Sequence, residues 1–283
     1  MPFSLRYLVP MLLSSLLCSH VAAEERLRLR DVLKNRAAET APDAQERTLT
    51  SSGASRSYVM LDASRGKPAP LIVALHGGGG TGMSMIQRWR NKARNEGLIV
   101  VALNGVGRTR NAGTWNAGGC CGEAMQTDSE DVRFVADVID AVSRTNKVDP
   151  DRIYVTGMSN GGMLTHRVAI ALSHRLAGAA VVAGAMFGDE MPPIQPVPML
   201  ILHGMADSVV PFDGGKSPTR FVARAQSEPF KPAQYAVDFW RRANGCTPPP
   251  SVSTQGDVRL ESSTDCRGGS AVQFYRLTSA DHT

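Results

Sequence analysis

The chain has 283 residues, 42% of them hydrophobic, with 27 glycines, 17 prolines and a formal net charge of +5. That length can bury one sizeable core, and the glycine and proline content excludes a coiled coil in favour of a loop-rich domain. The basic residues are mixed with acidic ones outside a short cluster at 26–30, which reads as a solvated face rather than a nucleic-acid site.

Residues 1–23 read as a secretory signal. Arg6 supplies the positive start, 8–17 is an apolar run, and Val21-Ala22-Ala23 precedes the charged Glu24. An uncleaved anchor and lipid attachment at Cys18 are the alternatives, and the large Leu17 argues against the second. Export implies an extracellular or periplasmic protein in an oxidising compartment. There the four cysteines after Cys18 fit disulfides. Cys246 and Cys266 are expected to pair across a loop rich in Pro, Ser and Gly. The adjacent Cys120 and Cys121 either bond to each other or leave a free thiol. Zinc-like Cys or His spacing is absent from the sequence, so no metal is expected.

Residues 24–50 look like a polar, partly helical arm, and 51–283 like a single catalytic domain. Within it, strands are expected at 57–61, 71–75, 98–103, 153–156, 179–183, 199–203 and 272–277. Helices are expected at 84–95, 128–145, 162–172 and 235–243, with a glycine-rich loop at 104–122. The run 71–75 is continuously apolar, as in a strand covered on both faces. Strands alternating with helices predict an α/β fold with a mostly parallel sheet and helices on both faces.

Gly157-Met158-Ser159-Asn160-Gly161 matches the nucleophile-elbow pattern, in which a serine sits on a sharp turn between a strand and a helix. The β-rich run 152–156 leads into it and a helix-compatible run follows. The pentapeptide alone is weak; its setting strengthens it. His76-Gly77-Gly78-Gly79-Gly80 follows a buried strand, where a loop can turn N–H groups toward the elbow. The expected oxyanion hole pairs the N–H of Asn160 with that of Gly77 or Gly78. A phosphate loop is rejected, because no Lys-Ser/Thr pair follows. Asp207 lies just past the strand at 199–203, where an orienting carboxylate belongs; Asp189 and Asp213 are weaker rivals. His282 is the sole histidine after Asp207, so Ser159, Asp207 and His282 make the one triad with the order serine, acid, histidine. Trp115 is expected either to stack on a substrate ring or to pack internally.

Longer blocks carry a resemblance. LIVALHGGGG at 71–80, WNAGGCCG at 115–122, Glu130-Asp131-Val132, VDPDRIYVTGMSNGG at 148–162 and LHGMADSVVPFDGG at 202–215 are similar to the secreted polyhydroxybutyrate depolymerase and feruloyl esterase family of α/β-hydrolases. The resemblance covers about 55–283. It implies hydrolysis of polyhydroxyalkanoate, feruloyl or acetyl esters, polymeric or soluble, through an acyl-enzyme without metal or organic cofactor. One departure is expected to matter. The family places a Thr-Trp-Pro-Gly-like stretch after the catalytic histidine, whereas here Ser279-Ala280-Asp281-His282-Thr283 closes the sequence. Either the sequence is a fragment of a longer protein or the chain has lost its end; if it truly ends at Thr283, low activity is expected, and a catalytically silent hydrolase-fold binding protein is the alternative to an esterase. A serine peptidase is a third reading, disfavoured by the motifs.

Overall fold

The computed structural model of the protein describes residues 44–107 and 112–282. The expected signal at 1–23 and most of the expected arm lie outside the described residues.

The described strands are β1 (Ala44–Ser51), β2 (Ala54–Asp62), β3 (Ala69–Leu75), β4 (Ile99–Leu103), β5 (Val148–Met158), β6 (Gly178–Val182), β7 (Met199–Gly204), β8 (Ser251–Gln255), β9 (Val258–Ser263) and β10 (Val272–Leu277). They form one ten-stranded sheet in the order β1-β2-β4-β3-β5-β6-β7-β10-β9-β8. The six central strands from β4 to β10 run parallel. Both flanks are antiparallel: β1 and β2 on one side, β9 and β8 on the other. This is the α/β architecture expected from the alternation of strands and helices.

The helices are α1 (Gly82–Glu96), α2 (Gly122–Gln126), α3 (Asp131–Thr145), α4 (Asn160–Ala171), α5 (Arg220–Ala225) and α6 (Ala233–Ala243). Thr81 caps α1 by accepting the Ser84 N–H at 3.2 Å, and Gly97 ends it with φ 70°. A left-handed turn of that kind suits glycine. In α3 the residues Phe134, Val135, Val138, Ile139 and Val142 share one buried stripe, as the 3.6 period requires.

The strand interiors explain the layering. Side chains alternate across a strand, so Leu71, Val73 and Leu75 of β3 meet the core that includes Phe134, Leu164 and Trp240 from α3, α4 and α6. Ile72 and Ala74 face the other way, toward Met85, Ile86 and Ala93 of α1. An apolar trough of about 400 Å³ also lies along the strands, lined by Ile72, Tyr154, Ala180 and Leu200 among others. It lies toward the amino-terminal ends of β6, β7 and β10, away from the carboxyl ends where the candidate site gathers.

Two expectations about the domain's edge are corrected. Residues 44–50, expected to belong to the polar arm, form most of β1 and pair with β2 in full register. Leu49 and the small Ala44 are the apolar residues through which that strand meets the core, so its alternation is nearly invisible in the sequence. The hairpin β8–β9 is also absent from the sequence expectation, because every residue of β8 is exposed. Cys246 and Cys266 are bonded to each other, as expected, and enclose this hairpin. Cys120 and Cys121 are bonded to each other across a cis peptide bond.

Candidate active site

Three loops at the carboxyl ends of parallel strands carry the expected triad. Ser159 follows β5, Asp207 follows β7 and His282 follows β10. Ser159 has φ 53° and ψ −126°, a strained conformation for a residue with a side chain. Its N–H donates to the Val182 carbonyl at 2.8 Å, which ties the elbow to the end of β6. The flanking glycines are steric requirements. A Cβ on Gly157 would overlap the Gly161 carbonyl, and one on Gly161 would overlap the carbonyls of Leu75 and His76. Helix α4 starts at Asn160 directly after the serine, so its unpaired N–H groups and positive dipole end lie beside the hydroxyl.

Asp207 is 6% exposed. One carboxylate oxygen accepts the N–H groups of Val209 at 2.8 Å and Val210 at 2.7 Å. The other meets His282 Nδ1 at 2.8 Å and lies 3.4 Å from His203 Nε2. Burial alone would raise the Asp207 pKa, but His203, His282 and the Val210 and Val209 N–H groups outweigh it and leave it well below the usual carboxylate range. Asp207 is therefore an anion held by three hydrogen-bond donors, with His203 Nε2, itself bonded to the Val210 carbonyl at 2.8 Å, close by. The rivals are placed otherwise: Asp189 forms a two-pronged pair with Arg167 at 2.8 Å, and Asp213 is exposed.

The histidine loop returns across the sheet edge. The Ala280 carbonyl accepts the Ala206 N–H at 3.1 Å, and a Cβ on Gly204 would overlap that carbonyl. Glycine at 204 thus lets the loop cross over β7 toward Asp207. The Asp281 carboxylate then accepts the Ser208 N–H at 2.8 Å, the Ser208 hydroxyl at 2.8 Å and the His282 N–H at 2.7 Å. The base and the acid are fastened to each other by backbone as well as by the imidazole. The motif reading missed these contacts and the His203–Asp207 approach; the (i, i+4) spacing of His203 and Asp207 was the visible hint of the latter.

The glycine loop lies against the elbow. A Cβ on Gly77 would come within 3.4 Å of the Ser159 Cβ, and one on Gly78 within 3.8 Å of the Asn160 Cβ. The expectation that Trp115 stacks on a substrate ring is corrected. Its side chain has no exposed surface, its indole N–H donates to the His76 carbonyl at 2.8 Å, and its ring lies 4.7 Å from the His76 ring. A ring so enclosed presents no face to a ligand. His76 is itself buried, which pushes its pKa down to about 4 against a weaker opposing bond to Gly77. It is neutral at ordinary pH.

A strained serine, a buried aspartate on a histidine and a glycine loop define an α/β-hydrolase fold with a hydrolase-type site. The comparisons agree. A model of the phospholipase/carboxylesterase family matches residues 57–231, and the chain belongs to that family. The chain is 30% identical over 227 residues to feruloyl esterase B of Piromyces equi, covering 76% of this chain and 40% of that protein. It is 33% identical over 211 residues to the putative esterase NocK of Nocardia uniformis subsp. tsuyamanensis, covering 70% of this chain and 60% of that protein. The chain therefore spans less than two thirds of either relative's length. Among solved structures, acetyl xylan esterase from Aspergillus awamori superposes with a TM-score of 0.59 at 15% identity, over 84% of this chain and 94% of that one. That likeness speaks for the fold.

Proposed function

We infer that the protein is a secreted serine esterase of carboxylic esters, with Ser159 as nucleophile, His282 as base and Asp207 as its orienting acid. The observation that carries this reading is the 2.8 Å bond between Asp207 and His282 Nδ1 at the sheet edge that also holds the strained Ser159. With Nδ1–H donated to Asp207, Nε2 is the basic nitrogen. It takes the hydroxyl proton as Ser159 Oγ bonds to the ester carbonyl carbon. The carbonyl oxygen becomes an oxyanion opposite the N–H of Asn160 and of Gly77 or Gly78. Collapse expels the alcohol, which leaves with the proton from His282, and the acyl group stays on Ser159. A water molecule then gives a proton to His282 and attacks the acyl carbon; the bond to Ser159 Oγ breaks, His282 returns the proton to that oxygen, and the acid is released. Asp207 stabilises the imidazolium in both halves.

The family match supports carboxylic ester chemistry. Relatives named as feruloyl esterases and as a bifunctional acetylxylan esterase/xylanase favour feruloyl or acetyl esters as the substrate class. The disulfide Cys246–Cys266 supports an extracellular or periplasmic setting. The network that seats His282 favours an active enzyme over a silent binding protein.

The test is hydrolysis of p-nitrophenyl butyrate by the wild type and by Ser159→Ala. We expect the variant to lose about 10⁴-fold or more in kcat; unchanged turnover would remove Ser159 from the mechanism. Methyl ferulate, acetylated xylan and hydroxybutyrate oligomers, compared by kcat/KM, then rank the acyl groups, with methyl ferulate or acetylated xylan expected first. A preference for hydroxybutyrate oligomers would overturn the substrate assignment and leave the mechanism standing.

A further inference from the structure

We propose that Trp115, together with His76, is a positioning residue of the oxyanion hole: the ring N–H groups of these two residues hold the His76 and Gly77 carbonyls from behind and turn the N–H groups of Gly77 and Gly78 toward Ser159. The inference rests on the serine-esterase reading and extends it to residues that touch no substrate.

A trans peptide points its C=O and its N–H in opposite directions. Fixing a carbonyl therefore fixes the direction of the next residue's N–H. The indole N–H of Trp115 donates to the His76 carbonyl at 2.8 Å, which sets the Gly77 N–H. His76 Nδ1–H donates to the Gly77 carbonyl at 2.8 Å, and the Gly80 N–H joins it at 2.9 Å, which sets the Gly78 N–H. His76 can give its Nδ1 proton because its Nε2 is occupied as an acceptor, from the Gly105 N–H at 3.0 Å. Its ring is further held against the Trp115 ring.

Trp115 also grips the other side of the hole. Its backbone N–H donates to Asn160 Oδ1 at 2.7 Å, and its carbonyl accepts from Asn160 Nδ2 at 3.0 Å. Asn160 follows the nucleophile and supplies the second expected oxyanion donor. One buried residue thus connects both donor segments, and its place is fixed in turn. The Asp131 carboxylate accepts the N–H of the next residue, Asn116, at 2.8 Å and is paired with Arg56 at 2.7 Å. Asn160 and Trp115 are 2% and 0% exposed, so no solvent competes for these bonds. Glycine loops are conformationally free. Without a clamp, ordering the donors would have to accompany each turnover.

The test uses Trp115→Phe and, to keep the ring's shape while removing the N–H alone, 3-benzothienylalanine at position 115. Each is assayed with p-nitrophenyl butyrate and titrated with butylboronic acid, whose tetrahedral adduct on the serine places an oxygen in the hole. We expect kcat to fall about ten- to a hundredfold with KM within about twofold, and the affinity for the boronic acid to fall by the same factor as kcat/KM. A benzothienyl variant with wild-type kcat and wild-type boronic acid affinity would overturn the proposal. So would a fall in kcat accompanied by an equal rise in KM and unchanged boronic acid affinity. Ser159→Ala is run in parallel. If it is inert while the Trp115 variants match wild type, the positioning role alone fails; if it stays active, the esterase mechanism fails.

Discussion

At the scale of single residues, Ser159, Asp207 and His282 can be picked out as a candidate triad because each follows a strand-like run, in a chemically telling order. Their supports cannot. Asp281 next to the base reads in sequence as an ordinary loop acid, yet its carboxylate joins Ser208 to the His282 N–H. Those bonds leave its pKa below the usual value, led by the Ser208 N–H. Asp281→Ala is expected to lower kcat about tenfold with little change in KM, since a loosened base costs alignment rather than binding. Asp281→Asn, which keeps one carbonyl oxygen for the same donors, is expected to recover most of the loss. An Asp281→Ala enzyme with wild-type kcat would show that the imidazole–Asp207 bond positions His282 unaided. Trp115 taught the opposite lesson. A tryptophan in a glycine-rich loop looks available to substrate, and burial cannot be read from a loop's composition. Only the three-dimensional closure of the 112–121 segment over Asn160 turns that ring inward.

At the scale of elements, apolar periodicity located the central strands and the long helices to within a few residues, except that β5 begins at Val148, well before the expected 153, because its first residues are largely polar. β3 and β4 are almost wholly buried, so their sequences are nearly pure hydrophobic runs. Strands at the margins carry no such signal. β1 offers only Leu49 and the small Ala44 to the core, and every residue of β8 is exposed, because their stability comes from pairing with neighbours rather than from their own buried surface. Helix α3 begins at Asp131 rather than near 128, since Asp128 takes φ 50° and cannot continue a helix. The outer hairpin β8–β9 depends on Cys246–Cys266, separated by 20 positions in sequence. A cross-link of that span contributes about 3 kcal/mol in the chain-entropy account. Replacing both cysteines by serine is therefore expected to lower unfolding stability in urea by about 2–4 kcal/mol, while kcat changes less than about twofold. Unaltered stability would mean that strand pairing alone holds the hairpin.

At the scale of the molecule, the parallel sheet brings to one edge residues separated by more than a hundred positions in sequence. The glycine loop follows β3, the nucleophile follows β5 and the acid follows β7. In sheet order β10 lies beyond β7, so the base must cross back over that strand, and Gly204 makes the crossing sterically open. The family match ends at residue 231, short of His282. The case for the base rests on its geometry with Asp207. The most direct measurement is the rate of phosphorylation by diethyl p-nitrophenyl phosphate, with the modified peptide mapped by mass, in wild type, His282→Ala and Asp207→Asn. The triad predicts one adduct on Ser159 that forms at least about a hundredfold more slowly in both variants while the fold is retained. An adduct on another residue, or a wild-type rate on Ser159 in His282→Ala, would contradict it.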